Sequence, residues 1–336
     1  MARVAVYGAS GYTGLELLRL LARHPGAEPT ALVTRQPDAP HVSRVHPSLS
    51  GRLDLTLEAL SPDEVAERAD CVFTCLPHGA SAEVVAGLLQ RGLKVVDLSA
   101  DYRLNDRAVY ERWYGGTHPD PQRIGETPYG LPELYRDRIP DSQLVANPGC
   151  YPTSAILALA PLLKAGLVAA EGIVIDAKSG VSGAGRNPKP NLHFPEANES
   201  FAAYGVGTHR HMPEIDQVLG DAAGRPLQVL FTPHLVPMDR GILSTIYAQP
   251  IGDPTEEQLN AAIRDAYGAE PFVDVVETPP ATKDVANTNR CHLAVRVVRG
   301  RVVLVSVIDN LIKGAAGAAV QNFNLMHGFE ETTALV

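Results

Sequence analysis

Short apolar segments alternate with amphipathic segments through roughly the first 150 residues of the chain. An apolar, β-branched segment at residues 4–7 precedes a glycine-rich turn, a helical pattern follows at 15–23, and a second apolar segment covers 30–33. Strand, helix and strand in this order predict the first unit of a mostly parallel sheet. The other elements predicted in this part are strands at 71–75, 94–97 and 143–146 and helices at 62–68 and 80–91.

The second half of the chain shows a different pattern, in which several long apolar segments follow one another without helices between them. Strands are predicted at 172–177, 227–234, 241–249, 272–276, 291–298 and 301–309, and a helix at 155–163. Consecutive strands of this kind are typical of a mixed or antiparallel sheet. The sequence therefore predicts an α/β fold with a Rossmann-type doubly wound parallel sheet and a second α+β domain.

These patterns divide the chain into a first domain at 1–147, a second at 148–313 and a C-terminal segment at 314–336. The last helix, predicted at 314–327, is apolar on one side, and we expect it to return to the first domain. Residues 103–140 are rich in Tyr, Pro, Gly and charge, and we expect long connecting loops there.

Composition narrows the class of protein. The chain has 336 residues, of which 45% are hydrophobic and 20% charged, which excludes disorder and a fibre. A net charge of −9 without a basic cluster argues against nucleic acid as a partner. No apolar segment approaches the roughly 18 residues of a membrane span, and the N-terminus shows no signal-peptide core. We therefore expect a cytoplasmic protein with no membrane partner.

Cysteine usage points to one candidate nucleophile. The chain has four cysteines: Cys71, Cys75, Cys150 and Cys291. They are too few for a disulfide framework and lack partners at metal-ligand spacing, so we expect no metal. Cys150 alone follows an irregular turn, Pro148-Gly149, ahead of a helix that Thr153 or Ser154 is expected to cap. Backbone N–H groups near such a turn favour a thiolate and could hold an oxyanion, so Cys150 is the candidate nucleophile and the other three are core residues.

The turn after the first strand reads G-A-S-G-Y-T-G and is typical of a dinucleotide site. Gly8 permits a tight turn, Gly11 lets a phosphate approach the backbone, and Gly14 allows close helix packing. The following helix N-terminus supplies an anion site. The candidate cofactor-binding residues here are Gly8, Ser10, Gly11, Tyr12, Thr13 and Gly14.

Thr34 and Arg35 follow the second strand, where an acidic residue would bind the ribose of NAD. A guanidinium suits a 2′-phosphate, so the sequence favours NADP, with a solvated loop position for Arg35 as the alternative. The loops after later strands of this sheet are expected to line the same cofactor-binding crevice. The candidate cofactor-binding residues in these loops are Leu76, Pro77 and Ser99, whereas His78 is expected to be structural or cofactor-adjacent.

The segment T-H-R-H-M-P-E-I at 208–215 contains two histidines that flank an arginine. A cysteine nucleophile needs a proton partner, and a helix starting near Pro213 would place His209 and His211 in a loop or first turn. Either histidine could act as acid or base there. The alternative is that they are structural, because position alone does not select them among eleven histidines.

Seven motifs in one order closely resemble the N-acetyl-gamma-glutamyl-phosphate reductase family of arginine biosynthesis, a branch of the semialdehyde dehydrogenases. They are G-A-S-G-Y-T-G, L-P-H-G, L-S-A-D-Y-R, N-P-G-C-Y-P-T, S-G-V-S-G-A-G-R, Y-G-V-G-T-H-R-H-M-P-E-I and D-N-L-I-K-G-A-A-G-A-A-V-Q-N. The resemblance covers essentially the whole chain, and its cysteine and HRH motifs are specific. One departure is Met212, where members often carry Thr; we do not expect it to abolish activity.

The resemblance implies an NADP-binding Rossmann domain at 1–147 and a catalytic and oligomerisation domain at 148–313. It implies that Cys150 attacks the acyl phosphate of N-acetyl-glutamyl 5-phosphate, expels phosphate and forms a thioester that accepts hydride from NADPH. His211 would then be the general acid/base, with His209 the less favoured choice.

Substrate contacts follow from the same resemblance. The cations available for the anionic substrate are Arg103, Lys178, Arg186 and Arg210, of which Arg103 and Arg210 are favoured. Asn147 and His209 are further substrate-binding candidates. Gly183 and Asn310 are expected on the nicotinamide side of the cofactor.

Other functions stay open at this point. The same chemistry could act on a carrier-bound aminoadipyl phosphate of lysine biosynthesis or on aspartyl phosphate, although aspartate-semialdehyde dehydrogenases usually show N-C-[ST]-T around the nucleophile. A different class is a noncatalytic NADP-binding sensor. The partners expected are a small acyl-phosphate substrate and further copies of the chain, a tetramer by resemblance, with the second-domain sheet as the contact surface.

Overall fold

The computed structural model describes residues 1–35 and 38–336. The chain forms two compact units, one made of Met1–Pro148 with Ala315–Val336 and the other of Gly149–Gly314. Each unit contains one large sheet. Within the described residues, every helix is too short or too polar to span a bilayer.

The sheet of the first unit is parallel throughout. Its strands are β1 (Ala2–Tyr7), β2 (Ala27–Val33), β3 (Leu57–Glu58), β4 (Cys71–Thr74), β5 (Lys94–Asp97) and β6 (Leu144–Ala146). They pair in the order β3-β2-β1-β4-β5-β6. This is the strand order of a Rossmann sheet, so the predicted fold class is confirmed for this unit.

Helices connect and cover these strands. They are α1 (Tyr12–Leu21), α2 (Val42–Val45), α3 (Pro62–Arg68), α4 (Ala82–Leu89), α5 (Arg107–Tyr114), α6 (Pro132–Tyr135) and, at the C-terminus, α11 (Gly317–Met326). The prediction of loops throughout 103–140 was wrong for α5. Its N-cap is Asp106, whose carboxylate accepts hydrogen bonds from the N–H groups of Ala108 and Val109.

Helix α11 packs against α1 and β5. Almost all of its side chains are buried, including the polar ones. The reason is that its polar side chains form hydrogen bonds inside the unit. Asn322, for example, donates to the Gly130 carbonyl at 2.8 Å and to Asn147 Oδ1 at 3.1 Å, which makes its burial tolerable.

The sheet of the second unit is mixed, as predicted. Its strands are β7 (Val174–Gly180), β8 (Ala202–Ala203), β9 (Leu230–Val236), β10 (Ile242–Ala248), β11 (Val273–Val275), β12 (Cys291–Val298) and β13 (Arg301–Ile308). They pair in the order β11-β12-β13-β10-β7-β9-β8. The β11–β12 and β7–β9 pairs are parallel and the other pairs are antiparallel.

Four α-helices belong to the second unit: α7 (Cys150–Lys164), α8 (Phe194–Ala197), α9 (Met212–Ala223) and α10 (Glu256–Tyr267). Helix α7 packs on β10 and β13. The buried hydroxyl of Ser154 lies 2.9 Å from that of Ser244 and 3.1 Å from that of Ser306, which fixes the helix on the sheet. Helix α10 was not predicted, although its Thr255–Gln258 capping box is a recognisable start signal.

Candidate active site

The glycine turn between β1 and α1 is shaped for a phosphate group. Gly8 has a φ of 73°, and a Cβ added there would lie 2.2 Å from the carbonyl oxygen of Cys75, so only glycine fits. A Cβ on Gly14 would lie 2.8 Å from Ala9 Cα, which accounts for the close packing of α1 on the turn. Gly11 is the N-cap of α1 and brings no side chain to the helix start. Backbone N–H groups at such a helix start fit the pyrophosphate of a dinucleotide.

The end of β2 presents a cation. The Thr34 N–H donates to the Glu58 carbonyl at 2.9 Å, which fixes the end of β2 beside β3. Arg35, the next residue, is exposed. A guanidinium just past this strand is suited to a ribose phosphate.

The loop that carries Leu76 and Pro77 is held by a buried carboxylate. Asp101 accepts hydrogen bonds at 2.7–3.1 Å from three backbone N–H groups between Gly79 and Ala82, and a fourth from a tyrosine hydroxyl at 3.0 Å. No role of its own was predicted for Asp101 from the sequence. Its backbone partners are about 20 residues away, so no local pattern could have revealed this role.

Ser99 lies after β5 and binds a buried carboxylate. Its hydroxyl donates to Asp97 Oδ2 at 2.7 Å and its N–H to Asp97 Oδ1 at 3.1 Å. Burial raises the pKa of Asp97, against the effect of hydrogen bonds from three hydroxyls. His78 Nδ1 accepts from the Ala100 N–H at 3.0 Å, which ties the loop after β4 to the loop after β5 and gives His78 a structural contact.

Arg103 and Asn147 lie together in the first unit. Arg103 is 5% exposed, and its guanidinium donates to the carbonyls of Leu98 and Asn147, each at 2.7 Å. The Asn147 amide donates to the Ala315 carbonyl at 3.2 Å and accepts from Asn322 at 3.1 Å. These bonds fix the chain just before Cys150.

Cys150 is the first residue of α7. The Gly149 N–H donates to Glu214 Oε1 at 2.8 Å, and Glu214 is 1% exposed. The prediction that Thr153 or Ser154 caps the helix was wrong, because the helix begins earlier with Gly149 as its N-cap. The Thr153 hydroxyl instead donates to the Gly149 carbonyl at 2.9 Å. The thiol thus lies in the first helical turn, where the helix dipole favours a thiolate.

The other cysteines have different surroundings. Burial raises the pKa of the Cys71 and Cys75 thiols to about 12, and Cys291 is fully buried. Cys75 and Cys150 are both half-buried, so the prediction of a core position was wrong for Cys75, although its thiol is desolvated. Among residues 1–35 and 38–336, His, Cys, Asp and Glu side chains form no group of three or more that could hold a metal ion.

An aromatic cluster surrounds Tyr151, the residue after the thiol. Its ring centroid lies 5.5 Å from that of His209 and 6.0 Å from that of His211, and the two imidazole centroids are 4.9 Å apart. Tyr204 and Phe231 complete the cluster at 5.5 and 5.4 Å from His209. The second unit therefore brings both histidines of the HRH segment beside the start of α7.

The surroundings of the His209 imidazole determine its protonation state. His209 Nδ1 accepts from the His211 backbone N–H at 3.1 Å, which leaves the ring proton of a neutral imidazole on Nε2. Burial, with a smaller contribution from the Arg210 charge, lowers the pKa of His209 to about 4. His209 is therefore neutral at pH 7, and its ring is poorly suited to accept a proton there.

We expect the free energy of unfolding to decrease as the pH falls from about 6.5 to about 4. Unfolded His209 binds a proton near pH 6.5, whereas the folded side chain binds one only near 4, so the unfolded state holds more protons in this window. His327, whose pKa burial lowers to about 4, acts in the same direction. Asp216 acts in the opposite direction, because burial raises its pKa to about 6.

Urea unfolding at several pH values between 7 and 4 measures this effect. His209→Asn is the matched variant, since its amide oxygen replaces Nδ1 as an acceptor but does not titrate. We expect a smaller loss of stability on acidification in this variant. The same pH dependence in both proteins would contradict a depressed pKa for His209.

Gly183 and Asn310 lie close together in the second unit. Asn310 is 2% exposed, donates to the Ser182 hydroxyl at 3.0 Å and accepts from the Gly241 N–H at 2.7 Å. A Cβ on Gly183 would lie 3.0 Å from the Ser179 hydroxyl oxygen and 3.6 Å from Asn310 Nδ2. Asn310 therefore holds two loops together.

The remaining cations of the second unit differ in exposure. Lys178 forms an ion pair of 2.9 Å with Asp176 on the same strand, while Arg186 and Arg210 are exposed. Arg210 belongs to the segment that carries both histidines. Its charge contributes to the lowered pKa of His209.

Two family models and several full-length relatives together match almost the whole chain. Residues 3–142 match the family model described as semialdehyde dehydrogenase, NAD binding domain, and residues 150–310 match semialdehyde dehydrogenase, dimerisation domain. The N-acetyl-gamma-glutamyl-phosphate reductase of Rhodopirellula baltica is 52% identical over 339 residues, which are 99% of this chain and 98% of the relative. That of Geotalea daltonii is 53% identical over 340 residues, which are 100% and 98% of the two chains.

Solved structures show the same fold at low sequence identity. Aspartate semialdehyde dehydrogenase II from Vibrio cholerae, complexed with ASA, superposes with a TM-score of 0.73 at 17% identity and 98% coverage of both chains. Aspartate semialdehyde dehydrogenase from Candida albicans, with NADP, gives 0.70 at 16% identity, covering 97% of this chain and 98% of the other.

Proposed function

The chain belongs to the N-acetyl-gamma-glutamyl-phosphate reductase family, and we propose that it reduces N-acetyl-L-glutamyl 5-phosphate to N-acetyl-L-glutamate 5-semialdehyde and phosphate with NADPH, a step of arginine biosynthesis. The observation that carries this proposal is Cys150 at the start of α7, beside the cluster that contains His209 and His211. A thiol at a helix N-terminus with an imidazole nearby is the arrangement that acyl transfer through a thioester needs.

Residues of the first unit would hold the cofactor. The glycine turn and the start of α1 would bind the pyrophosphate through Gly8, Ser10, Gly11, Tyr12, Thr13 and Gly14. Thr34 and Arg35 would bind the 2′-phosphate, and Leu76, Pro77 and Ser99 the remainder of the nucleotide. Gly183 and Asn310 of the second unit are proposed for the nicotinamide side. When bound, NADPH supplies the hydride.

We expect Arg35→Ala to raise the KM for NADPH by about 10–100-fold, because one charge-assisted contact with the 2′-phosphate is lost. The KM for NADH, which lacks that phosphate, should change little. Steady-state rates with each cofactor measure the ratio. Arg23, another arginine of the first unit, lies after α1, and Arg23→Ala is the matched control. An equal rise for both cofactors with Arg35→Ala would argue against a 2′-phosphate contact.

Cys150 would perform the acyl transfer. Its thiolate attacks the acyl carbon, a C–S bond forms, and the C–O bond to phosphate breaks with the electron pair leaving on phosphate. Hydride addition to the thioester gives a thiohemiacetal, which collapses to the aldehyde and restores the thiolate. We expect backbone N–H groups at the start of α7 to stabilise the oxyanion.

His211 would carry the proton in these steps. It assists thiolate formation and supplies or removes a proton at the thiohemiacetal. His209, neutral at pH 7, is proposed to contact substrate and to position His211 through the bond to its N–H. Arg210 and Arg103 are the proposed substrate cations, Arg103 together with Asn147, whose carbonyl it binds.

The roles of the domains and the oligomeric state are also proposed from the family membership. Residues 1–147 would bind the cofactor, 148–313 would carry catalysis and self-association, and 314–336 would complete the first domain. The sheet face with Leu243, Val303 and Val305 has apolar side chains that are only half-buried, which supports a homo-oligomer, a tetramer by family resemblance. We place the enzyme in the cytoplasm.

Formation of NADPH from NADP, phosphate and N-acetylglutamate 5-semialdehyde tests the function. We expect phosphate-dependent turnover with this aldehyde and little with aspartate semialdehyde. Turnover only with another aldehyde, including a carrier-bound aminoadipate semialdehyde, would be consistent with the proposed mechanism but would assign a different substrate.

A lack of turnover with every aldehyde would favour the alternative that the protein is a noncatalytic NADP-binding sensor. Iodoacetamide separates these cases, because an enzyme of this type should be alkylated at Cys150 well before Cys71, Cys75 or Cys291.

A further inference from the structure

Gly314 lies directly against the first residue of α7. A Cβ added to Gly314 would lie 2.8 Å from Cys150 Cβ, 3.2 Å from Cys150 Cα and 3.3 Å from Ile308 Cδ1. Cβ atoms in proteins essentially never come closer than 3.0 Å to another heavy atom. The two nearest atoms belong to the backbone and the root of the Cys150 side chain, so a rotamer change cannot relieve the collision.

Backbone conformation does not require glycine at this position. Gly314 is not among the glycines with positive φ. It lies in a π-helical turn, Ile312–Ala316, where alanine is intrinsically favoured over glycine. A glycine in such a place indicates close approach of another group, and single π-turns are frequent at functional sites.

The π-turn is also held from its other side. Asp309 is fully buried, and its Oδ1 accepts from the N–H groups of Leu311 at 2.8 Å and Ile312 at 3.1 Å. The Asp309 carbonyl accepts from the Gly314 N–H at 2.9 Å. Moving the turn away from Cys150 would therefore strain or break buried hydrogen bonds, which is unfavourable.

The start of α7 is held equally firmly. The Gly149 N–H is bonded to the buried carboxylate of Glu214, and the Gly149 carbonyl accepts from the Thr153 hydroxyl. Ser154, one turn later, is bonded to the sheet through Ser244. Movement of either Cys150 or the turn would therefore disrupt buried hydrogen bonds.

We propose that Gly314 is a positioning residue for Cys150: because it has no side chain, the π-turn supports Cys150 Cβ directly and limits the directions that Sγ can take. The consequence for turnover rests on the proposed function. The contact itself does not, and it can be tested without any substrate.

A double-mutant cycle in thermal unfolding tests the contact. Gly314→Ala is placed in the intact protein, in Cys150→Ala, which keeps Cβ, and in Cys150→Gly, which removes it. We expect a clear fall in Tm in the first two backgrounds and a fall at most half as large in the third. Equal falls in the alanine and glycine backgrounds would overturn the proposal.

A folding-rescue experiment and a control variant complete this test. If Gly314→Ala does not fold in the intact protein, recovery of folding with Cys150→Gly supports the proposal and failure to recover overturns it. Gly87→Ala in α4 is the matched control, because an added Cβ there would meet its nearest atom at 3.8 Å. Its Tm should not fall.

Steady-state kinetics of the folded Gly314→Ala variant test whether displacement of the Cys150 thiol slows turnover. We expect kcat to fall about 10–100-fold with the KM for NADPH unchanged, since only the reacting thiol is displaced. Unchanged kcat and unchanged alkylation of Cys150 would overturn the positioning role. If the intact protein turns over no acyl phosphate while the Tm cycle still shows coupling, the proposed function fails and the contact stands.

Discussion

Cys150→Ala is expected to lower kcat/KM for the acyl phosphate by roughly 10⁴-fold or more, as removal of a covalent nucleophile generally does. Alanine cannot form the thioester, whereas the first turn of α7, its dipole and the backbone N–H groups proposed to stabilise the oxyanion remain. NADPH binding should be unchanged, because the groups proposed to bind the pyrophosphate and 2′-phosphate lie in the other unit. Steady-state kinetics and a fluorescence titration of NADPH measure the two quantities.

Cys291→Ala is the matched control for this variant. Cys291 lies in the same unit, is fully buried and has its Sγ 3.6 Å from the Ser306 hydroxyl oxygen. Its loss removes a small buried group, so we expect some loss of stability and retained turnover. Substantial phosphate-dependent turnover by Cys150→Ala would show that the reaction does not pass through a thioester on this residue.

The sequence was most informative where local patterns determine structure. Apolar segments ahead of Gly8 and around Cys71 and Lys94 predicted the parallel strands, because strands buried on both faces are apolar almost throughout. The consecutive apolar strands after residue 227 predicted the mixed sheet. The start of α7 at Cys150 was missed because Pro148 and Gly149 suggested a longer turn, and Thr153 resembled a capping residue.

Roles that depend on distant partners could not be predicted in this way. Asp101 holds the loop before α4, and Arg103 binds the Asn147 carbonyl 44 residues away. Gly314 reads in sequence as one more small residue of a helix, and its meaning appears only when Cys150 lies beside it. In each case the information lies in tertiary packing, which neither periodicity nor propensity contains.

His211→Asn is expected to lower kcat by about 10²–10⁴-fold, the usual contribution of a positioned general acid/base. Asparagine is a favourable N-cap residue, and His211 is the N-cap of α9, so the helix should persist. Steady-state rates with saturating acyl phosphate and NADPH measure this loss.

His209→Asn separates the two histidines. His209 is already neutral above its pKa of about 4 and is poorly suited to carry the proton, so its replacement should lower kcat less than His211→Asn does. The asparagine oxygen can still accept the His211 N–H, which preserves the support that Nδ1 gives to the neighbouring residue. A larger loss with His209→Asn would reverse the assignment. The proton carrier would then be His209, and its pKa would have to be higher when substrate is bound.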